Sequence, residues 1–193
     1  MKTVTIVSFL MIFALVGCSN QGVKNESAPS DTLAKSNSDT QVKVASGATG
    51  TLVIKEVVFG ADAPVPEAVR NECELISGLS TEIKVNAANH YATVLEGPVT
   101  APANADVLSV EIINLVGPGG GAWSGGKSVM IKGTLSKHGK AVSGFKALRV
   151  SGGGFFGGYM GTCAILRRCI RTLGEDVAGW LQNPTPNATL GDM

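Results

Sequence analysis

The segment Gly121-Ala-Trp-Ser-Gly-Gly-Lys127-Ser128 has the spacing G-x-x-x-x-G-K-[ST]. In a phosphate-binding loop of that pattern, backbone amides cradle the phosphates, the lysine reaches the terminal one and the hydroxyl binds magnesium at the start of a helix. Residues 128–135 do not read as a helix. Val129, Ile131 and Leu135 alternate with Lys132 and Thr134, which is the period of a strand. No later apolar run ends in an Asp that would hold the metal. The expectation is a glycine-rich loop with no nucleotide and no other cofactor. Trp123 inside it has two readings: it folds back to cap a sheet, or it is an exposed aromatic that contacts a partner.

The remaining reactive side chains form no constellation. His90 follows a helical pattern and His138 falls in a turn, both solvated positions. No Ser stands in a nucleophile elbow, and no His lies within metal-ligand spacing of a Cys. Glu175 and Asp176 read as solvated or capping carboxylates of a helix. Arg167, Arg168 and Arg171 make a local basic patch, either a solvated face or a contact for anionic headgroups or a partner. With no acid, base, nucleophile and metal in register, no catalytic residue and no metal ligand is assigned, and the domain is expected to be non-enzymatic.

One cysteine does carry clear chemistry. The chain starts Met1-Lys2, runs apolar from Val4 to Val16 and then reads Gly17-Cys18. A basic residue before a short apolar run is the layout of an export signal, too short to span a bilayer. Leu15-Val16-Gly17-Cys18 has the form of a lipobox, in which a small residue admits the signal peptidase and the thiol takes a diacylglycerol thioether. Acyl chains contribute about 0.8 kcal/mol per buried methylene, so two or three anchor a domain stably. An ordinary signal followed by an accidental cysteine would not fill all four positions. Ser19, where Asp would favour inner-membrane retention, points to the outer membrane facing the periplasm.

Composition narrows the partners. Lys+Arg number 16 against 15 Asp+Glu, so there is no footprint for nucleic acid. Aromatics are 5% and Gly numbers 25, which argues against an aromatic-lined carbohydrate groove. The expected organisation is a signal at 1–17, lipidated Cys18 and a disordered tether at 18–50, a globular domain at 51–184 and a tail at 185–193. The tether is rich in Ser, Asn, Thr, Gly and Lys and cannot bury enough apolar surface to offset its ordering entropy.

Within the domain, Thr51–Phe59 is β-branched and apolar, a strand. From Glu67 to about Asn89, Val69, Cys73, Ile76, Leu79 or Ser80, Ile83 and Ala87 recur at three and four, one stripe of a helix. Val107–Val116, Ser128–Leu135 and about Lys140–Val150 read as three further strands, with His138-Gly139 as a tight turn. Cys163, Leu166, Ile170, Leu173, Val177 and Trp180 or Leu181 mark a last helix that Pro184 stops. Strand, helix, three strands, helix implies an α+β fold: a small antiparallel sheet of about four strands with two helices on one face.

With Cys18 lipidated, Cys73, Cys163 and Cys169 remain in an oxidising compartment. Cys163 and Cys169 on one helix would be about 9 Å apart, too far for a disulfide. Cys73 and Cys163 lie on the apolar stripes of two helices expected on the same sheet face, so the expected bridge is Cys73–Cys163. Cys169 is then a small buried apolar residue or, alternatively, a reactive or intermolecular thiol.

The strings Gly-Gly-Ala-Trp-Ser-Gly-Gly-Lys-Ser (120–128), Gly-Thr-Cys-Ala-Ile-Leu-Arg-Arg (161–168) and Leu-Gly-Glu-Asp-Val-Ala-Gly-Trp-Leu (173–181) resemble a group of proteobacterial lipoproteins of the domain-of-unknown-function type, DUF4410-like. The element order is similar to envelope auxiliary lipoproteins that pair a small sheet with two helices. Neither resemblance brings catalytic residues. The expected role is a membrane-anchored envelope lipoprotein with a binding or structural domain, its partners the membrane and an envelope protein. The alternative is an accessory subunit of a lipid or solute transport system.

Overall fold

The computed structural model describes residues 48–117, 126–152 and 161–193. The export signal, Cys18, most of the tether and Trp123 lie outside the described residues. In chain order the elements are β1 (Thr51–Ile54), β2 (Val58–Phe59), α1 (Glu67–Glu72), α2 (Leu75–Ala87), β3 (Thr93–Glu96), β4 (Asp106–Val116), β5 (Lys127–Lys137), β6 (Lys140–Ser151), α3 (Thr162–Gln182) and β7 (Ala188–Gly191). Every one of them, and the whole core, falls within 51–193.

The central meander follows directly from period-two patterning. β4 pairs antiparallel with β5, and β5 with β6, placing Ile112, Ile131 and Ala147 side by side on one face. A bulge at Ile113 shifts the register between Ile112 and Asn114. It inserts one residue, so Leu115 returns to the face that Leu108, Val110 and Ile112 occupy. The β5–β6 hairpin closes through His138 and Gly139, with φ of 50° and 74°. Positive φ at both central residues is the type I′ geometry that matches strand twist.

The small antiparallel sheet expected from the sequence is not what forms. Among the described residues the sheet has seven strands in the order β3-β1-β4-β5-β6-β7, with β2 also on β4, and three helices accompany it. β1 is parallel to both β3 and β4, and β7 is parallel to β6, so the sheet is mixed. The cause is connection length. The helical connections return the chain to the end it left, and the next strand must then run parallel to the previous one. Two other expected elements divide. Thr51–Phe59 breaks at Lys55–Val57 into β1 and β2, both on the same partner β4. The first helix breaks at Cys73–Glu74, where Glu74 takes φ of 51° and restarts the chain as α2. Residues 185–193, set apart as a tail, contain β7.

The core fills the space between one sheet face and the pair α2 and α3. Leu79 and Ile83 of α2 and Leu166, Leu173 and Val177 of α3 are fully buried against Leu108, Ile131 and Leu135. Each such side chain contributes roughly 1.5–3 kcal/mol. The helices meet through glycine. A Cβ on Gly174 would stand 2.6 Å from the Glu82 Cβ, and one on Gly78 would stand 2.7 Å from the Ile170 Cδ1. In the sheet, the ring of Phe145 occupies the space above Gly133, 2.3 Å from where a Cβ would be.

Cys73, at the end of α1, and Cys163, in the first turn of α3, form a disulfide with their Cα atoms 4.8 Å apart. It joins positions 90 residues apart in sequence. Replacing both with Ala should lower the unfolding free energy by about 4 kcal/mol. The measurement is urea unfolding of the double variant beside wild type, and reductant should destabilise wild type alone. A second comparison isolates the helix contact. Gly174→Ala should cost about 1–3 kcal/mol through overpacking. Gly179→Ala on the same helix, with nothing within 4 Å, should instead stabilise by up to about 1 kcal/mol.

Candidate binding surface

β5 starts at Lys127 itself, so the pattern G-x-x-x-x-G-K-S leads into a strand and not into the helix N-terminus that phosphate binding needs. Lys127 is 1% exposed and lies on the core side with Val129 and Ile131, while Ser128 falls on the other face. Its carbonyl accepts a weak hydrogen bond from the Cys169 Sγ at 3.7 Å. Cys169 is free and buried, and burial pushes its thiol above the ordinary range. The histidines do not meet. His90 sits in the turn after α2, where its backbone N–H donates to Ala87 O, and the exposed His138 places Nδ1 3.1 Å from the carbonyl oxygen of Ala103. Among the described residues no group of His, Cys, Asp and Glu is arranged to hold a metal ion. No helix among them is long and apolar enough to cross a membrane.

The polar contacts that do form bind elements together. Asp176 takes both the Nε and an Nη of Arg149, each at 2.7 Å, and a second Nη of Arg149 reaches Asp192 at 2.9 Å. Arg149 thus joins β6, α3 and the residue after β7. Trp180 donates its indole N–H to Thr185 O and packs edge-on to Phe145, and Ser143 donates to Pro184 O. Of the expected basic patch, Arg167 bonds Glu74 at 3.0 Å across the helix break. The Ser80 hydroxyl donates to Glu96, which also faces Lys84. Arg149 was not singled out from the sequence, because alternation of β6 gives no sign that one core-side position carries a charge.

At the end of the sheet where β1 begins, Tyr91 donates to Asp106 at 2.8 Å, and Lys137 stands 3.1 Å from the same carboxylate oxygen. Burial first, and then the bond to Asp106, hold the Tyr91 phenol above its ordinary pKa.

Among the described residues the sheet face turned away from α2 and α3 carries no helix. Register sets it out in rows: Val116, Ser128 and Val150 at one end, then Asn114, Met130 and Leu148, then Glu111, Lys132 and Lys146. Val150 is 51% exposed and Val116 46%. Lys132 pairs with Glu111 at 2.9 Å. The opposite end of this face is crossed by residues 97–105, which connect β3 to β4. Val53 beneath them and Ala105 at their end are buried, and a groove of about 660 Å³ opens between the connection and Val53, Val107 and Ser136.

No protein-family model matches the chain, and no curated protein matches it. Several solved structures are similar to it. One titled as an uncharacterized protein is 10% identical, covers 73% of this chain and 95% of its own, with a TM-score of 0.47. A PelC dodecamer from Paraburkholderia phytofirmans is 12% identical over 68% of this chain and 90% of its own, TM-score 0.44. A Xanthomonas campestris protein of the family DUF330 is 10% identical over 69% of this chain and 84% of its own, TM-score 0.44.

The Tyr91 contact predicts an alkaline limit. A phenol raised in the fold contributes stability that is complete below the unfolded value of about 10 and is lost as pH rises through the folded value. Absorbance titration at 295 nm should therefore show one tyrosine ionising only as the protein unfolds, and Tyr91→Phe should remove that phase. The same variant should cost about 1–2 kcal/mol in urea unfolding at neutral pH.

Proposed function

We propose that the chain is an exported lipoprotein, held by acyl chains on Cys18 at the outer membrane and facing the periplasm. Its domain is a non-enzymatic binding module that presents the sheet face on which the described residues place no helix. The observation that carries this is the combination of Leu15-Val16-Gly17-Cys18 with a disulfide in the domain behind it. Disulfides persist in exported proteins and are rare in reducing compartments, so the bridge and the anchor agree on the address. The uncovered face supports the binding role. Valines exposed beside Met130 and Leu148 give a partner apolar area, and Lys132 and Lys146 supply charge at its border. A second reading, an accessory subunit of a lipid or solute transport system, is favoured by the groove beside residues 97–105.

The test is expression in a Gram-negative host fed a clickable palmitate. The full chain should take up label and sediment with membranes, and Cys18→Ser should do neither. Equal sedimentation of the two, or no label on wild type, would refute the anchor. In the same cells a photo-crosslinking residue at Leu148 should give one discrete adduct, and one at Arg171 on α3 should not.

A further inference from the structure

We propose that the groove beside residues 97–105 binds the acyl chain of a long-chain fatty acid, with the carboxylate at Lys55. The inference deepens the reading of the domain as a binding module at a membrane and rests on it. The first observation is the composition of the connection. Gly97-Pro-Val-Thr-Ala-Pro-Ala-Asn-Ala105 contains no charged residue, although it spans the surface. Thr100 and Asn104 are its only polar side chains. Here Val99 stands 44% exposed at the groove, with Ala101 and Pro102 beside it.

The second observation is the floor. Val53 and Val107 are neighbours in parallel register, and Ser136 lies opposite Val107. Val53 is buried beneath the wall of Val, Ala and Pro and Val107 is partly exposed, so the apolar surface of the groove comes mainly from the connection itself. A volume of about 660 Å³ lies in the range of small-molecule sites, roughly 300–1,000 Å³. The third is charge. No Asp or Glu lines the groove, while Lys55, Ser136 and His138 do, the last with its Nδ1 turned to the Ala103 carbonyl oxygen. Lys55 has one cationic head on a flexible stem, suited to a single carboxylate, and the Ser136 hydroxyl adds a donor. A groove with an apolar wall, a lysine at its edge and no carboxylate in its lining fits a single-chain anionic amphiphile. The floor also lies one residue from the level where Leu52 meets Asp106, at the end where β1 begins.

The experiment uses the chain from Ser19, which retains every described element and the whole core, prepared without detergent. Calorimetric titration with dodecanoate below its micelle-forming concentration should show one molecule bound per chain. Dodecyltrimethylammonium, with the same tail and the opposite charge, should bind about tenfold more weakly or not at all. Val99→Glu should abolish binding, and Lys55→Glu should weaken it about tenfold, the loss expected for a charge-assisted hydrogen bond. Val150→Glu, at the far end of the same face, should bind as wild type does. Thermal unfolding of each variant, unchanged from wild type, shows that the loss is local. Four results overturn the inference: no heat with dodecanoate, equal affinity for the cationic amphiphile, full binding by a folded Val99→Glu, or tighter binding of lysophosphatidylglycerol than of dodecanoate. A chain that is palmitate-labelled at Cys18 yet binds no dodecanoate sinks this inference and leaves the anchor standing.

Discussion

A sheet with one apolar face is stable in water only when that face is covered, and here the cover is two helices that approach each other through glycine. Gly174 lets α3 lie against Glu82 and Ile83 of α2, and Gly78 receives the tip of Ile170. The two helices together cover the strip of Leu108, Ile131 and Leu135. The disulfide between Cys73 and Cys163 then fixes one end of the pair, and Arg149 between Asp176 and Asp192 holds the other elements to it. Remove the close approach and the helices separate, the strip wets, and the contacts at both ends lose their geometry.

Placing both helices on one side has a consequence for topology. Each leads from one strand to another that must run the same way, so β1 and β3 are parallel, as are β6 and β7. The antiparallel meander β4-β5-β6 sits between these two parallel margins. The strands at the margins are four residues long, short enough to limit the unpaired edge they present.

Among the described residues the other side of the sheet carries no helix, for the same reason. At one end the apolar connection 97–105 crosses it and makes a groove; at the other, Val116 and Val150 stand open beside the strand ends. The residues that looked most like an active centre do other work. Lys127 is inside the core at the first position of β5, His138 forms a turn, and Cys169 is a buried thiol against a strand.

How much of this was legible beforehand follows from the range over which each signal acts. Alternation and helical stripes are local, so the sequence by itself determined β4, β5 and β6, the turn at His138-Gly139, the helix α3 and the apolar faces they share. The same stripes selected Cys73 and Cys163 as partners, because both cysteines point from helices toward one core. The failure of the phosphate-loop pattern was also local, since Val129 and Ile131 already declared a strand. What only the tertiary structure decided depends on contacts between distant segments. Thr93–Glu96 and Ala188–Gly191 are too short and too mixed to declare themselves, and they become strands because β1 and β6 offer an edge to pair with. The break at Glu74 and the bulge at Ile113 have no local signature, since each satisfies the geometry of neighbours elsewhere in the chain. Arg149 reads as one polar residue in a strand until α3 and the C-terminal residues bring two carboxylates to it. The groove belongs to the same class: its wall and its floor come from different parts of the chain, and only the crossing of residues 97–105 over β1 and β4 brings them together.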